Sequence, residues 1–227
     1  VKTKRVFKVS KSPRIDPDLR RRIVTASRGL FFSRGFVRVT ADEIARQLGI
    51  SKATLYKAFP SKEEILRAVV GDFLNGVLAR VEELLSDDRL SFADKLAALF
   101  AFVGGRISRL GPVFIRDIQR SAPGIWREID EFRRDKIFKN FKVILDSGRR
   151  EGLFRGDVDP DILIEMFAYL IGEFLNPEAI LRSGRRPAEV FESIIKVFFQ
   201  GILTDRGRRD FSTRTPALFE PRKEDTP

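Results

Sequence analysis

The stretch Thr40–Lys62, TADEIARQLGISKATLYKAFPSK, decides the fold. Thr40 is placed to N-cap a short helix beginning at Ala41, with Glu43 three residues on as its capping-box partner. Ile44, Ala45 and Leu48 share one face at helical spacing, and Gly49 supplies the left-handed residue that stops the helix. Ile50 fills the turn, and Ser51 caps a second short helix, Lys52 to Ala58. Two short helices joined by a tight glycine turn form the unit that lays its second helix in the major groove of DNA. The stretch therefore predicts a DNA-binding helix-turn-helix.

Working outward, Asp16 and Pro17 suit the cap and first turn of a preceding helix. Leu19, Ile23, Ala26 and Leu30 carry it to about Arg34, and Gly35 ends it, with Arg20, Arg21 and Arg22 on the opposite face. Downstream, Lys62 opens a long helix to about Leu85, striped by Ile65, Val69, Phe73, Val77, Val81 and Leu84. At 1.5 Å per residue it is a rod of about 35 Å. Further helices are expected over 92–110, 113–120, 124–152, 160–175 and 188–203, separated by polar, glycine or proline breaks. No segment reads as a strand. The expected fold is all-α with about nine helices: a basic arm at 1–14, a helix-turn-helix domain at 15–62, a helical domain at 63–205 and a polar tail at 206–227.

Composition narrows the chemistry. The 227 residues include no cysteine and no histidine, which removes disulfides, thiol nucleophiles, thiolate or imidazole metal sites and every triad built on histidine. No catalytic residue, metal or cofactor is expected. The longest apolar run, Leu96–Gly105, is too short to cross a bilayer, and no apolar segment follows the basic N-terminus as a signal peptide requires. A cytoplasmic protein without a membrane partner is the expectation. Charge is unevenly placed: residues 1–62 carry 16 Lys/Arg against 4 Asp/Glu, while the remainder carries 27 against 28. A basic region that coincides with a reading motif points to double-stranded DNA.

Gly35 and Phe36 before the threonine, followed by the pattern IA..LGIS.ATLY..F..K, resemble the TetR family of bacterial repressors. That resemblance implies the role of each exposed residue. Lys52 and Ala53, at the start of the recognition helix, reach base edges, and Tyr56 faces the groove one turn later. Thr54 and Lys57 bond phosphates, Lys62 holds a phosphate at the start of the long helix, and Thr40 does likewise after its capping role. Members of the family often carry His where this chain has Ala58, so the backbone contact made there is in question.

One recognition helix rarely suffices, so a homodimer on a palindromic operator follows, with half-sites one DNA turn apart. Phe167, Ile171 and Phe174, with Phe191, Ile194, Ile195, Phe198 and Ile202, form two apolar stripes suited to a four-helix interface. Helical geometry turns roughly half of such positions into the chain's own core. The resemblance also implies a small-molecule inducer held by the C-terminal helices. Phe102, Phe114, Trp126, Phe141 and Tyr169 supply aromatic lining for a lipophilic or aromatic compound, and Arg106, Gln119 and Glu173 are candidate polar anchors. The alternative is an architectural DNA-binding protein without an effector.

Overall fold

The structure is a computed structural model that describes residues 16–214. The expected basic arm and all but the start of the polar tail lie outside them. Eleven α-helices occupy the described residues: α1 Pro17–Arg34, α2 Ala41–Leu48, α3 Lys52–Ala58, α4 Lys62–Ser86, α5 Phe92–Ile107, α6 Pro112–Ser121, α7 Pro123–Arg150, α8 Pro160–Phe174, α9 Pro177–Ser183, α10 Pro187–Ile202 and α11 Asp205–Arg214. There is no strand among them, only one isolated antiparallel bridge between Phe154 and Leu203. The all-α expectation is met. No single helix among these residues is long and apolar enough to cross a membrane.

Two helices exceed the expected nine, each for a local reason. Pro177 ends α8 as anticipated, but Asn176 then caps a new helix, its side chain accepting from the Ala179 N–H at 2.8 Å. Gly184, at φ 65°, closes α9 in the left-handed conformation. The second addition, α11, forms in the stretch read as tail. Phe211 is 2% exposed and lies edge-on to Phe92, so a single buried ring anchors this otherwise polar helix.

Among the described residues, one compact unit takes 16–78 together with Arg109–Arg133. It holds α1 to α3, the first part of α4, α6 and the start of α7. Ile23, Phe31, Val39, Ile44, Leu55, Ile65, Leu66 and Val69 are wholly buried there, joined by Phe114, Ile118 and Ile125. Each such side chain removed from water contributes about 1.5–3 kcal/mol. Phe32 knits α1 to its neighbours, its ring 5.3 Å from Phe73 and 4.7 Å from Phe114.

The other unit takes Ala79–Ser108 and 134–214. Its core is built on phenylalanine. Phe141 stacks on Phe167 at 4.4 Å, and Phe199 meets Phe100 at 4.7 Å and Phe154 at 5.9 Å. Most of these contacts are edge-on or tilted, the arrangement that the ring quadrupole favours. Gly148 sits where any side chain would strike the Phe154 ring.

The core of the first unit contains one mismatch. Ser27 is fully buried in α1, and its hydroxyl has no hydrogen-bond partner. An unpaired buried hydroxyl is unfavourable, and alanine is the better helix former. We expect Ser27→Ala to stabilise the fold by about 1–2 kcal/mol, seen as a higher melting midpoint. A lower midpoint would mean that the hydroxyl is satisfied in solution.

Candidate nucleic-acid interface

The reading unit is held by its helix ends. Thr40 Oγ1 accepts from the Glu43 N–H at 3.2 Å, and the Glu43 carboxylate accepts from the Thr40 N–H at 2.8 Å, so the capping box closes. Arg34 at the end of α1 adds an ion pair to Glu43 at 2.8 Å. The Thr40 backbone N–H and then Arg34 hold the Glu43 carboxyl below its ordinary range. Gly49, at φ 66°, ends α2, and Ser51 caps α3 by accepting from the Thr54 N–H at 3.0 Å.

Leu55 and Ala58 are buried and pin α3 against the core. Helical spacing then leaves Lys52, Ala53, Tyr56 and Lys57 together on the exposed side. Thr54 is half-buried beside Ser51, the two hydroxyls 2.9 Å apart, and Thr40 is exposed at the start of α2. Four of the seven residues assigned to DNA thus share one face of α3. The buried Ala58 has its carbonyl closed by Arg20 of α1, whose guanidinium also lies 4.0 Å over the Phe59 ring. Arg20, read from sequence as part of a basic face, is therefore a structural tie.

Lys62 also departs from expectation. Its ammonium donates to the Phe36 carbonyl at 3.0 Å and the Val39 carbonyl at 2.9 Å, with Val37 at 3.4 Å, and it lies 4.4 Å over the Phe36 ring. All three N–H directions are occupied inside the protein, so a phosphate has no claim on them. Burial lowers its pKa, and the nearby Asp117 charge opposes that shift. Asp117, from α6, grips the same turn, its Oδ2 accepting from the Val37 N–H at 2.9 Å. A side chain at Gly35, where φ is 86°, would fall 2.6 Å from that oxygen. Sequence reasoning missed Asp117 because its partner lies 80 residues away and nothing in its local pattern marks it.

The candidate ligand residues are dispersed. Phe114 is a core residue of the first unit with Gln119 and Trp126 nearby in sequence, and the Arg133 guanidinium lies 5.5 Å over the Trp126 ring. Phe102 and Arg106 are half-buried on α5, the guanidinium 5.2 Å from the ring. Phe141 is filled in by Phe167, Phe198 and Phe199. Tyr169 is 67% exposed and Glu173 is also on the surface, so neither lines an enclosed space. A shallow hollow of about 680 Å³ on α7 is lined by charged side chains, Val143 apart, unlike an apolar ligand cleft.

The dimer stripes are corrected in the same way. Phe167, Ile171, Phe191, Ile194, Ile195, Phe198 and Ile202 are buried in the chain's own unit, and only Phe174 of the eight is exposed. On these two helices the large apolar groups left on the outside are Ile162, Met166, Tyr169 and Phe174 of α8 and Val197 of α10. The stripes exist but pack inward, and the flank one helical step away faces outward.

Comparison with known proteins gives a consistent picture. Residues 23–69 match the sequence model of the bacterial regulatory proteins of the tetR family. The chain is 30% identical to the HTH-type transcriptional repressor KstR2 of Mycobacterium tuberculosis, over 59% of this chain and 68% of that protein. It is 24% identical to the uncharacterized HTH-type transcriptional regulator YvaF of Bacillus subtilis, over 82% and 96% of the two chains. The solved structure of a SmeT–triclosan complex superposes with a TM-score of 0.62 at 18% identity, covering 92% of this chain and 98% of that one. That last likeness is one of fold.

The grip on the turn between α1 and α2 can be tested directly. Asp117→Ala leaves the Val37 N–H without its partner and removes the anion near Lys62, so a loss of about 1–3 kcal/mol is expected. Urea denaturation measures it, and unchanged stability would show that the contact does not hold the turn.

Proposed function

Because the chain belongs to the TetR family of bacterial regulatory proteins and is a DNA-binding transcriptional regulator, we propose that it is a ligand-responsive repressor. In this reading it binds a palindromic operator as a homodimer in the cytoplasm and is released by a small lipophilic or aromatic inducer. The observation that carries the reading is the single exposed face of Lys52, Ala53, Tyr56 and Lys57 on a capped, core-pinned α3. Lys52 suits guanine O6 and N7, Ala53 a thymine methyl, and Tyr56 either a base edge or a phosphate. Thr40, Thr54 and Lys57 fix register on the phosphates. Lys62 is withdrawn from that set and acts by shaping the turn.

Residues 15–62 form the reading domain in this proposal, and 63–205 the responsive and dimerising part. A solvent-facing row of Ile162, Met166 and Tyr169 on α8, with the exposed Phe174 at its end and the exposed Val197 on α10, supports pairing through α8 and α10, which pack against each other. The lipophilic inducer finds support in the triclosan of the SmeT complex and in the aromatic richness of this chain. Ligand and operator would favour different states of one dimer, so each weakens the binding of the other by the same factor.

Selection of bound sequences from random duplex DNA at about 0.15 M salt tests the reading function. A palindrome is expected, with Tyr56→Ala losing about 1–3 kcal/mol of discrimination. Retention of only bulk DNA would favour the architectural alternative. Met166→Glu together with Val197→Glu should leave the fold intact and convert the dimer to a monomer in light scattering at micromolar concentration. A dimer that survives both charges would place the interface elsewhere.

A further inference from the structure

An ion pair stands at the edge of the reading face. Lys52 Nζ, at the first residue of α3, lies 2.9 Å from Asp42 Oδ2, at the second residue of α2. Both side chains are more than half exposed, at 52% and 57%, and such a pair adds little to folding stability. The hydrogen bond to the carboxylate, and then its charge, raise the ammonium pKa above the usual lysine value. On a surface that meets phosphates, an acidic group is unfavourable unless it finds a donor. The donors that DNA offers in the major groove are the amino groups of cytosine and adenine.

We propose that Asp42 and Lys52 together read one G·C base pair in each half-site, Lys52 donating to guanine and Asp42 accepting from cytosine. The inference rests on the DNA-reading role proposed above. On a G·C pair the O6 acceptor of guanine lies beside the N4 donor of cytosine. Those two atoms are themselves joined by an N–H···O bond of about 2.9 Å, the spacing of the Lys52 and Asp42 head groups. Donor meets acceptor twice, and the four groups close a ring of hydrogen bonds. An A·T pair in the same orientation reverses both partners: the adenine amino group faces the ammonium, and thymine O4 faces the carboxylate. Asp42 thus supplies rejection as well as recognition, while neutralising a lysine that would otherwise seek any phosphate.

The test is sequence selection with the full chain as wild type, Asp42→Ala and Lys52→Ala, with far-UV circular dichroism as the folding control. The wild-type site should contain a G·C column in each half. Asp42→Ala should lower the preference for G·C over A·T in that column about ten-fold or more and leave the other columns unchanged. Its binding should depend more steeply on salt, by about one unit of slope per protomer, because Lys52 is freed for a phosphate. Lys52→Ala should relax the same column. If Asp42→Ala leaves every column unchanged, or the two variants relax different columns, the paired reading is wrong although the protein still reads DNA. If the wild type itself enriches no sequence, the reading role fails and this inference fails with it.

Discussion

The turn from Gly35 to Val39 is the constraint on which the reading unit depends. It is too short and too irregular to satisfy its own backbone groups, and two of its apolar residues, Phe36 and Val39, are buried while Val37 is exposed. Two charged side chains of opposite sign solve the problem. Lys62 supplies donors to the carbonyls of the turn, and Asp117 supplies the acceptor for its Val37 N–H. Unpaired backbone groups at such a position are unfavourable enough to make the turn open rather than stay buried. Because α2 begins at the end of this turn, its direction is set by residues of α4 and α6.

The same unit illustrates how a short helix is made stable. Seven or eight residues are too few to hold a helix in water on their own. Capping by Thr40 and Ser51, the left-handed Gly49 and the buried Ile44, Ala45, Leu55 and Ala58 supply what propensity does not. Arg20 then closes the far end of α3 from α1. Rigidity of the exposed face follows from these buried and capping contacts, so the buried Ile44, Ala45, Leu55 and Ala58 determine where Lys52 and Tyr56 point.

The unit built on α5, α8, α10 and α11 uses a different device. Phenylalanines from five helices and from the bridge near Phe154 interlock through edge contacts, and Phe199 is the ring that most of them meet. Such a core absorbs residues that appear, on a helical wheel, to be available for a partner. The outward row of Ile162, Met166 and Tyr169 lies just beside the stripe chosen from hydrophobicity, because a strongly apolar helix offers two adjacent faces and the larger rings take the inner one.

Local chemistry made the helix-turn-helix legible in the sequence alone. Thr40 with Glu43, Gly49, Ser51 and the apolar spacing of α2 and α3 act within a few residues of one another, so their meaning does not wait for the fold. The limits of α1 and α4 and the basic bias of the first 62 residues belong to the same class. Long-range placement decided the rest. Lys62 and Asp117 meet over a turn neither adjoins in sequence, Asp42 reaches Lys52 across a helix turn, and Phe211 makes a helix of what composition reads as tail. Sequence pattern fixes what a residue can offer, since that depends on its side chain and near neighbours. Which partner takes the offer depends on the packing of distant elements, and only the tertiary structure contains that.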